Sequence, residues 1–162
     1  MPENTMSHIL KRSELKQAVA NLRQQKKTIV VTNGCFDILH SGHLRLLNNA
    51  KGLGNILIVG VNSDRSVSKL KGAKRPVVSE GERAEIIANL KAVDFVTIFD
   101  EDTAVELLKI IEPDIYVKGG DYNLENLPEA AAVESFGGTV KFIKLLARKS
   151  TTDLIDKIKA LS

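Results

Sequence analysis

Short, continuous apolar runs alternate along the chain with longer segments in which apolar residues recur every three or four positions. The continuous runs cover residues 28–32, 56–61, 95–99, 114–117 and 139–143. Runs of this kind are typical of strands that are buried on both faces of a parallel sheet. Helical spacing occurs between them, near residues 13–24, 43–51, 65–70, 79–91, 103–112, 128–135 and 153–161. This alternation predicts an α/β fold with a doubly wound, five-stranded parallel sheet.

The pattern divides the chain into residues 1–27 and residues 28–162. Residues 1–7 are polar, and we expect them to precede a helix that has Ser13 as its N-cap. The apolar residues that share one face of this helix are Leu15, Val19 and Leu22. We therefore interpret residues 1–27 as a tail and a helix that covers the sheet, and residues 28–162 as the rest of a single globular domain.

Capping patterns and apolar spacing place several later helices. Ser79 and Glu82 form a capping-box pattern, and Thr103 and Glu106 form another. Pro128 is expected at the first position of a further helix. We expect Ile86, Ile87 and Leu90 of the helix after Ser79 to point inward. The apolar residues of the last helix of the chain are Leu154, Ile155, Ile158 and Leu161.

Composition and charge narrow the class of protein. Of the 162 residues, 43% are hydrophobic, which is enough for the core of one ordinary domain. The formal net charge is +3, from 23 basic and 20 acidic residues, an excess too small to indicate nucleic acid as a partner. Cys35 is the single cysteine, so an internal disulfide is excluded. No apolar run approaches the roughly 18 residues of a membrane span, and the N-terminal segment lacks the apolar core of a signal peptide. We expect a soluble cytoplasmic protein without a nucleic-acid or membrane partner.

The segment 33–43 connects the first predicted strand to the second predicted helix. Such a turn presents free backbone N–H groups and the positive end of a helix dipole, which together favour a phosphate group. His40 and His43 flank Gly42, which has no side chain and lets a phosphate approach the backbone. A histidine pair at a helix start is also compatible with a capping or metal-binding role, so the spacing alone leaves these interpretations open.

Basic residues follow the second predicted strand. Lys71, Lys74 and Arg75 lie in the segment 69–76, which is either a solvated loop or a loop that folds over a triphosphate and neutralises its charge. Arg83 lies in the first turn of a helix, where the dipole disfavours a cation. We expect it to make either a structural ion pair or a phosphate contact.

Two turns follow later predicted strands. Lys118, Gly119, Gly120 and Asp121 come after the fourth strand, where a flat glycine backbone either forms a simple turn or supports a nucleobase. The hydroxyl residues at 150–152 precede the last helix and are compatible with an N-cap.

Residues 34–43 resemble the signature of the cytidylyltransferase-like nucleotidyltransferases, whose HxGH motif corresponds to His40, Ser41, Gly42 and His43. The resemblance covers residues 28–158 and implies a Rossmann-like nucleotidyltransferase fold. It implies that His40 and His43 contact a nucleoside triphosphate and stabilise the transition state, with Lys71 as a third catalytic group, and that the hydroxyls at 150–152 hold the β- and γ-phosphates. The residues assigned to nucleotide binding are Asn33, Gly34, Cys35, Phe36, Asp37, Gly42, Lys74, Arg75, Arg83, Lys118, Gly119, Gly120, Asp121, Ser150, Thr151 and Thr152.

Residues 118–122 resemble the base-and-sugar segment of the heptose 1-phosphate adenylyltransferases. The glycerol-phosphate cytidylyltransferases carry an acidic residue at the position of Gly120, so adenine is favoured over cytosine. This resemblance implies transfer of AMP from ATP to D-glycero-β-D-manno-heptose 1-phosphate, giving ADP-heptose and pyrophosphate for lipopolysaccharide core synthesis. The alternative is a glycerol-3-phosphate cytidylyltransferase or another nucleotidyltransferase that acts on a small phosphate.

The resemblance also implies partners. ATP and a sugar 1-phosphate are the expected substrates, Mg²⁺ is the expected cofactor, and a homodimer is the assembly that relatives indicate. The sequence does not identify the metal ligands. We expect a stand-alone version of the adenylyltransferase half of bifunctional heptose enzymes, supplied with sugar phosphate by a separate kinase.

Overall fold

The structure of the chain is a computed structural model that describes residues 8–120, 122–145 and 150–162. Within these residues the strands are β1 (Ile29–Gly34), β2 (Ile56–Asn62), β3 (Phe95–Phe99), β4 (Ile115–Gly119) and β5 (Thr139–Ile143). The α-helices are α1 (Arg12–Gln24), α2 (Ser41–Lys51), α3 (Asp64–Lys71), α4 (Glu80–Ala88), α5 (Val105–Ile111), α6 (Ala130–Ser135) and α7 (Thr151–Ala160), and a 3₁₀ helix covers Leu124–Asn126. None of these helices, in the described part of the chain, is long and apolar enough to cross a bilayer.

The central strand of the sheet is β1. The strands are parallel and follow the order β3-β2-β1-β4-β5, so the predicted doubly wound, five-stranded sheet is confirmed for the described residues. β1 pairs with β2, where Ile29 lies opposite Ile56, and with β4, where Val30 lies opposite Ile115. The order of the strands therefore reverses beside β1. In open α/β sheets, ligands bind at the carboxyl ends of the strands next to such a reversal.

Each face of the sheet has its own apolar core. Leu15 of α1 and Val133 of α6 are buried in one core, which also includes α5, and Leu47 of α2 is buried in the other core, which also includes α4. Val31 and Val30 of β1 point into the first and second core, respectively. A strand that is covered on both faces needs apolar residues at consecutive positions, which explains the continuous runs in the sequence.

The start of α1 differs from the prediction. Lys11, rather than Ser13, is the N-cap, because the carboxylate of Glu14 accepts the N–H of Lys11 at 2.7 Å and the helix begins at Arg12. The three residues predicted on the inner face are buried in the same core as α5 and α6. The division of the chain after residue 27 stays a prediction.

α4 buries fewer of its apolar residues than predicted. The predicted capping box is present, but the helix ends at Ala88, so Leu90 lies beyond it and is partly buried against the core. Ile87 is fully buried, whereas Ile86 is 47% exposed and the expectation that it points inward is wrong. Adjacent helical residues point about 100° apart, so a helix this short, packed on one side only, buries one of the two isoleucines.

The starts of α5 and α6 also correct the prediction. The N-cap of α5 is Ala104, which makes no side-chain cap, so the predicted box of Thr103 and Glu106 is wrong. The N–H of Ala104 instead donates to Oε1 of Glu129 at 3.0 Å. Glu129 is the N-cap of α6, and Pro128 lies one residue before it rather than at the first helical position. A carboxylate that is distant in sequence thus replaces the local cap.

The last helix buries less than its apolar spacing predicts. Leu154 and Ile155 are half-buried, but Ile158 is 58% exposed and Leu161 is 88% exposed. The helical spacing of Ile158 and Leu161 therefore does not lead to their burial. Periodicity predicts which residues share a face, but burial also needs an element that covers this face, and no described element covers the last turn of α7.

Candidate active site

A cavity of about 640 Å³ opens at the carboxyl edge of the sheet, beside the reversal of strand order. Its walls come from the turn after β1, the ends of β2 and β4, the loop between β3 and α5, and the start of α7. The predicted site residues that line it are Asn33, Gly34, Cys35, Phe36, Asp37, His40, Gly42, His43, Lys71, Arg75, Lys118, Gly119, Ser150, Thr151 and Thr152. Folding therefore brings most of the predicted site residues together.

The two histidines cap the start of α2. His40 is the N-cap, and its Nδ1 accepts the N–H of Gly42 at 3.1 Å. The Nδ1 of His43 accepts the N–H of His40 at 3.3 Å. These bonds form a capping box in which imidazoles take the places of the usual hydroxyl and carboxylate. The two rings stack with their centroids 3.9 Å apart, so the capping role left open by the sequence is confirmed and orients both rings at the cavity wall.

The same hydrogen bonds decide the tautomers. Because Nδ1 of each ring accepts a backbone N–H, the proton of the neutral ring lies on Nε2. Burial, and to a smaller extent the neighbouring charge of His40, lower the pKa of His43 to about 4. His43 is therefore neutral at pH 7, with Nε2 as a hydrogen-bond donor. The ring of Phe36 lies 5.3 Å from the ring of His43 between centroids and supports it from the side.

The carboxylate of Asp37 anchors the basic segment that follows α3. It accepts hydrogen bonds from Nε of Arg75 at 2.7 Å and from the backbone N–H groups of Val77 and Val78, each at 2.9 Å. Burial raises the pKa of Asp37, but the two backbone donors and the guanidinium outweigh it and hold the pKa below its ordinary value. Asp37 thus has a structural role that its position in the motif does not reveal, and direct contact with a nucleotide stays a prediction.

The anchored segment presents two of its three candidate cations to the cavity. Lys71, at the end of α3, and Arg75 line it, and the Arg75 side chain is only 15% exposed. Lys74 is exposed and does not contribute to the lining. The geometry therefore favours a loop folded over the cavity for Lys71 and Arg75, and a solvated position for Lys74.

Arg83 is a structural residue inside the fold rather than part of the cavity wall. Its side chain is fully buried. Nε donates to the carbonyl of Val78 at 2.9 Å, and Nη1 donates to the carbonyls of Cys35 and Asn62 at 2.5 and 2.8 Å. Nη2 donates to the carboxylate of Asp64 at 2.8 Å. Of the two roles that the sequence left open, the geometry favours the structural ion pair, because each nitrogen of the guanidinium has a protein acceptor.

The turn after β1 is tied to β4. Oδ1 of Asn33 accepts the hydroxyl hydrogen of Tyr116 at 2.5 Å, across the reversal of strand order. A Cβ at Gly34 would lie 3.1 Å from the ring of Phe36, so the glycine lets this ring pack beneath the turn. Burial raises the pKa of the Cys35 thiol, and Cys35 is therefore a neutral part of the wall.

The end of β4 borders the cavity. Gly119 lines the cavity, and a Cβ there would lie 3.2 Å from two leucine side chains. The Nζ of Lys118 lies 5.1 Å from the centroid of the Tyr122 ring, within the range of a cation–π contact, and burial lowers the pKa of Lys118. Gly120 has a φ of +108° and is not part of the lining, and Asp121 lies outside the described residues.

The start of α7 is a second helix N-terminus at the cavity. Ser150 is the N-cap, and its Oγ accepts the N–H of Asp153 at 3.0 Å, so the N-cap role is confirmed for this hydroxyl. Oγ1 of Thr151 donates to the carbonyl of Ile38 at 3.0 Å, which ties the helix to the histidine turn. Thr152 also borders the cavity. Two helix dipoles, from α2 and α7, therefore favour an anion in the same space.

The family model described as "Cytidylyltransferase-like" matches residues 31–156, a range that includes the histidine turn and the start of α7. The chain belongs to the cytidylyltransferase-like family. The assignment to nucleotidyltransferases, made from residues 34–43, is thereby confirmed.

Individual relatives support the family assignment. The chain is 48% identical over 152 residues to bifunctional protein HldE of Syntrophotalea carbinolica, and 51% identical over 149 residues to bifunctional protein HldE of Koribacter versatilis. These matches cover 94% and 92% of this chain but only 31% of each relative, so the chain spans about a third of their length. The chain is also similar to a solved structure, described as the lipopolysaccharide core biosynthesis protein from Thermoplasma volcanium. The two share 31% sequence identity and superpose with a TM-score of 0.61, and the match covers 76% of this chain and 99% of the chain in that structure.

The cavity of this cytidylyltransferase-like chain also has a wall that the sequence did not predict. It contains Asp102 and Thr103 from the loop between β3 and α5, and Asn126 and Glu129 from the segment before α6. Glu129 is only 4% exposed although it borders the cavity. Neither a motif nor a spacing marks these residues as part of a binding site, because they come from two segments that only the fold of the sheet brings together.

Proposed function

We propose that this chain transfers AMP from ATP to D-glycero-β-D-manno-heptose 1-phosphate. An oxygen of the sugar phosphate attacks the α-phosphorus of ATP, the bond from this phosphorus to the oxygen that bridges to the β-phosphate breaks, and pyrophosphate leaves with the electron pair. The products are ADP-heptose and pyrophosphate. The acceptor phosphate is already an anionic nucleophile, so the reaction needs positioning and charge stabilisation rather than a general base.

The observation that carries the proposal is the stacked pair of His40 and His43 at the N-terminus of α2, on the wall of a cavity that α7 also enters with its N-terminus. Donors at Nε2 of the two rings suit phosphate oxygens whose negative charge grows in the transition state. Lys71 at the end of α3 and Arg75 in the following loop add positive charge to the cavity wall. Together these groups suit the triphosphate and the leaving pyrophosphate.

The assignment of adenine as the base and of heptose as the sugar of the acceptor rests on sequence resemblance. Gly119 borders the cavity, and the preference for adenine rests on residues 118–122, which are similar to those of heptose 1-phosphate adenylyltransferases. The chain is also similar to the relatives named bifunctional protein HldE. The description of the solved neighbour as a lipopolysaccharide core biosynthesis protein agrees with ADP-heptose as the product. The cytoplasmic location and the homodimer stay predictions.

Mg²⁺ is proposed to enter together with ATP. No group of three or more His, Cys, Asp or Glu side chains among residues 8–120, 122–145 and 150–162 is placed to hold a metal ion. Mg²⁺ commonly keeps several waters and binds through substrate phosphates, which supply oxygen ligands of the kind it prefers. Bound to the triphosphate, it would add charge neutralisation to that of Lys71 and Arg75.

The test is a pyrophosphate-release screen. ATP, CTP, GTP and UTP are each combined with heptose 1-phosphate, other sugar 1-phosphates and glycerol 3-phosphate, and the nucleotide product is identified by mass. We expect release with ATP and heptose 1-phosphate, and ADP-heptose as the product. Release with CTP and glycerol 3-phosphate instead would make the chain a glycerol-3-phosphate cytidylyltransferase, and ATP binding without release for every acceptor would contradict the enzymatic proposal.

A further inference from the structure

The two faces of the cavity differ in charge. On the side of α2 lie the two histidines, and the loop after α3 adds Lys71 and Arg75. On the side of α5 and α6 lies the carboxylate of Glu129, whereas the carboxylate of Asp102 is paired with Lys69 of α3. On the first side the carboxylate of Asp37 is paired with Arg75, and the remaining donors favour phosphate groups, whereas the carboxylate of Glu129 repels phosphate and can accept hydrogen bonds from hydroxyl groups.

Glu129 is buried and held in a fixed position on this second side of the cavity. In the sequence it is flanked by Leu127 and Ala130, both of which are buried in the core with α5, and it is itself only 4% exposed. Its Oε1 accepts the N–H of Ala104 at 3.0 Å, which holds the carboxylate at the start of α5. An ionised carboxylate offers about four acceptor positions, so one hydrogen bond orients Glu129 without using up its capacity.

The negative charge of Glu129 affects the pKa values of two residues of β4. It contributes to raising the pKa of Tyr116, second to burial, and it opposes the lowering of the pKa of Lys118 by burial. Both residues belong to β4, next to the reversal of strand order. The carboxylate therefore lies within electrostatic reach of the place where the nucleotide and its acceptor would meet.

The geometry points to Glu129 as a specificity-determining residue, whose buried carboxylate accepts hydrogen bonds from hydroxyl groups of the acceptor and so selects a polyhydroxylated sugar phosphate over a short-chain phosphate. This inference rests on the proposed function, because it concerns the acceptor of the same reaction. A buried acceptor that is left without its donor is costly, so a substrate that lacks the hydroxyl is rejected.

The other polar residues of this wall are less suited to the role. The carboxylate of Asp102 is paired with Lys69, and its side chain is 54% exposed. The side-chain oxygen of Asn126 accepts the N–H of Asn123 at 2.9 Å within the 3₁₀ helix. Glu129 combines burial, an orienting hydrogen bond and negative charge.

The experiment compares Glu129→Gln with Glu125→Gln as a matched control. Gln keeps the shape of the side chain and can still accept the N–H of Ala104, but it replaces a charged acceptor by an amide. Glu125 is exposed, lies in the same segment and does not border the cavity. For Glu129→Gln we expect the KM for heptose 1-phosphate to rise roughly 10- to 100-fold, with the KM for ATP within about twofold of the unaltered chain. Glu125→Gln should match the unaltered chain in both.

A second measurement uses the unaltered chain with monodeoxy analogues of the sugar 1-phosphate. Removal of the hydroxyl that faces Glu129 should lower kcat/KM about tenfold or more, and this penalty should disappear in Glu129→Gln. If Glu129→Gln does not fold, the analogues alone decide, since losses below about threefold at every position would overturn the proposal.

Two results with a folded Glu129→Gln would overturn the inference. An unchanged KM for the acceptor would remove Glu129 from sugar recognition, and a raised KM for ATP alone would assign it to the nucleotide. Failure of the proposed function has a different signature, because the unaltered chain would then transfer AMP to no sugar phosphate, and this inference would fall with it.

Discussion

The carboxylate of Asp37 and the guanidinium of Arg75 form an ion pair that is almost fully buried, with 2.7 Å between Oδ2 and Nε and side chains that are 1% and 15% exposed. The pair joins the turn after β1 to the loop after α3. It therefore connects the histidines on one wall of the cavity to the cations that face them.

We expect Asp37→Asn to lower the free energy of unfolding by about 3 kcal/mol, because it leaves a buried guanidinium without its counter-charge. Urea denaturation measures this change. The matched control is Glu106→Gln, which removes an ion pair with Lys109 whose side chains are 55% and 56% exposed. The control should cost less than about 1 kcal/mol. Equal losses in the two variants would contradict the anchoring role of Asp37.

Lys71 and Lys74 are close in sequence but differ in their relation to the cavity. Lys71 lines it and Lys74 does not. We expect Lys71→Ala to lower kcat/KM for ATP by about tenfold or more, since a charged donor to phosphate is lost. Lys74→Ala should stay within about threefold of the unaltered chain. Steady-state kinetics with the preferred acceptor measures both, and a larger effect at Lys74 would show that the loop has been assigned in the wrong orientation.

His40 has a structural role at Nδ1 and a proposed catalytic role at Nε2, and His40→Asn separates them. The amide oxygen of Asn can replace Nδ1 as the acceptor for the N–H of Gly42, and Asn is among the best N-cap residues. We expect the melting temperature to change little and kcat to fall by roughly 10²–10³, the usual loss for one donor to a transition state. The control is His8→Asn, since His8 contacts the carbonyl of Asp94, distant from the histidine turn. Near-normal turnover of His40→Asn would refute the catalytic assignment.

The low pKa of His43 predicts a pH dependence of stability. In the folded chain His43 binds a proton near pH 4, whereas an unfolded histidine does so near pH 6.5. Between these values the unfolded chain holds more protons, so stability falls as the pH falls from 6.5 to 4, by at most about 1.4 kcal/mol per pH unit from this group.

NMR titration of the His43 ring and urea denaturation at pH 7 and pH 5 measure these two quantities. His43→Asn should lose less stability than the unaltered chain between the two pH values. In His40→Asn the pKa of His43 should rise but stay below 6.5, because burial, the larger cause, remains. A His43 ring that titrates near 6.5 in the unaltered chain would contradict the buried, stacked geometry.

Local features of the chain were predictable because their causes are local. The apolar run that forms β1 is covered on both faces of the sheet. A strand in this position needs apolar residues at consecutive positions, and the sequence shows them directly. The histidine turn follows from the order of strand, glycine and helix within residues 33–43. The same holds for the capping box of α4, whose partners are Ser79 and Glu82.

Local patterns misled where a distant group competes with them. Thr103 and Glu106 have the spacing of a capping box, but the carboxylate of Glu129 reaches the start of α5 instead. Ile86 has the right residue type for a core, but the helix buries its neighbour. The residue pattern of one helix does not predict where the neighbouring element packs against it.

The sequence by itself determined the kind of fold, the family and the place of the histidines, since these depend on short-range order and on a contiguous motif. Only the tertiary structure decided the role of Asp37, the burial of Arg83 and the presence of Glu129 at the cavity. Glu129 reaches Ala104 across 25 positions of sequence, because strand order places α5 and α6 side by side on one face of the sheet. Contacts of that range follow from the path of the chain through the sheet, which the spacing of residues along it does not encode.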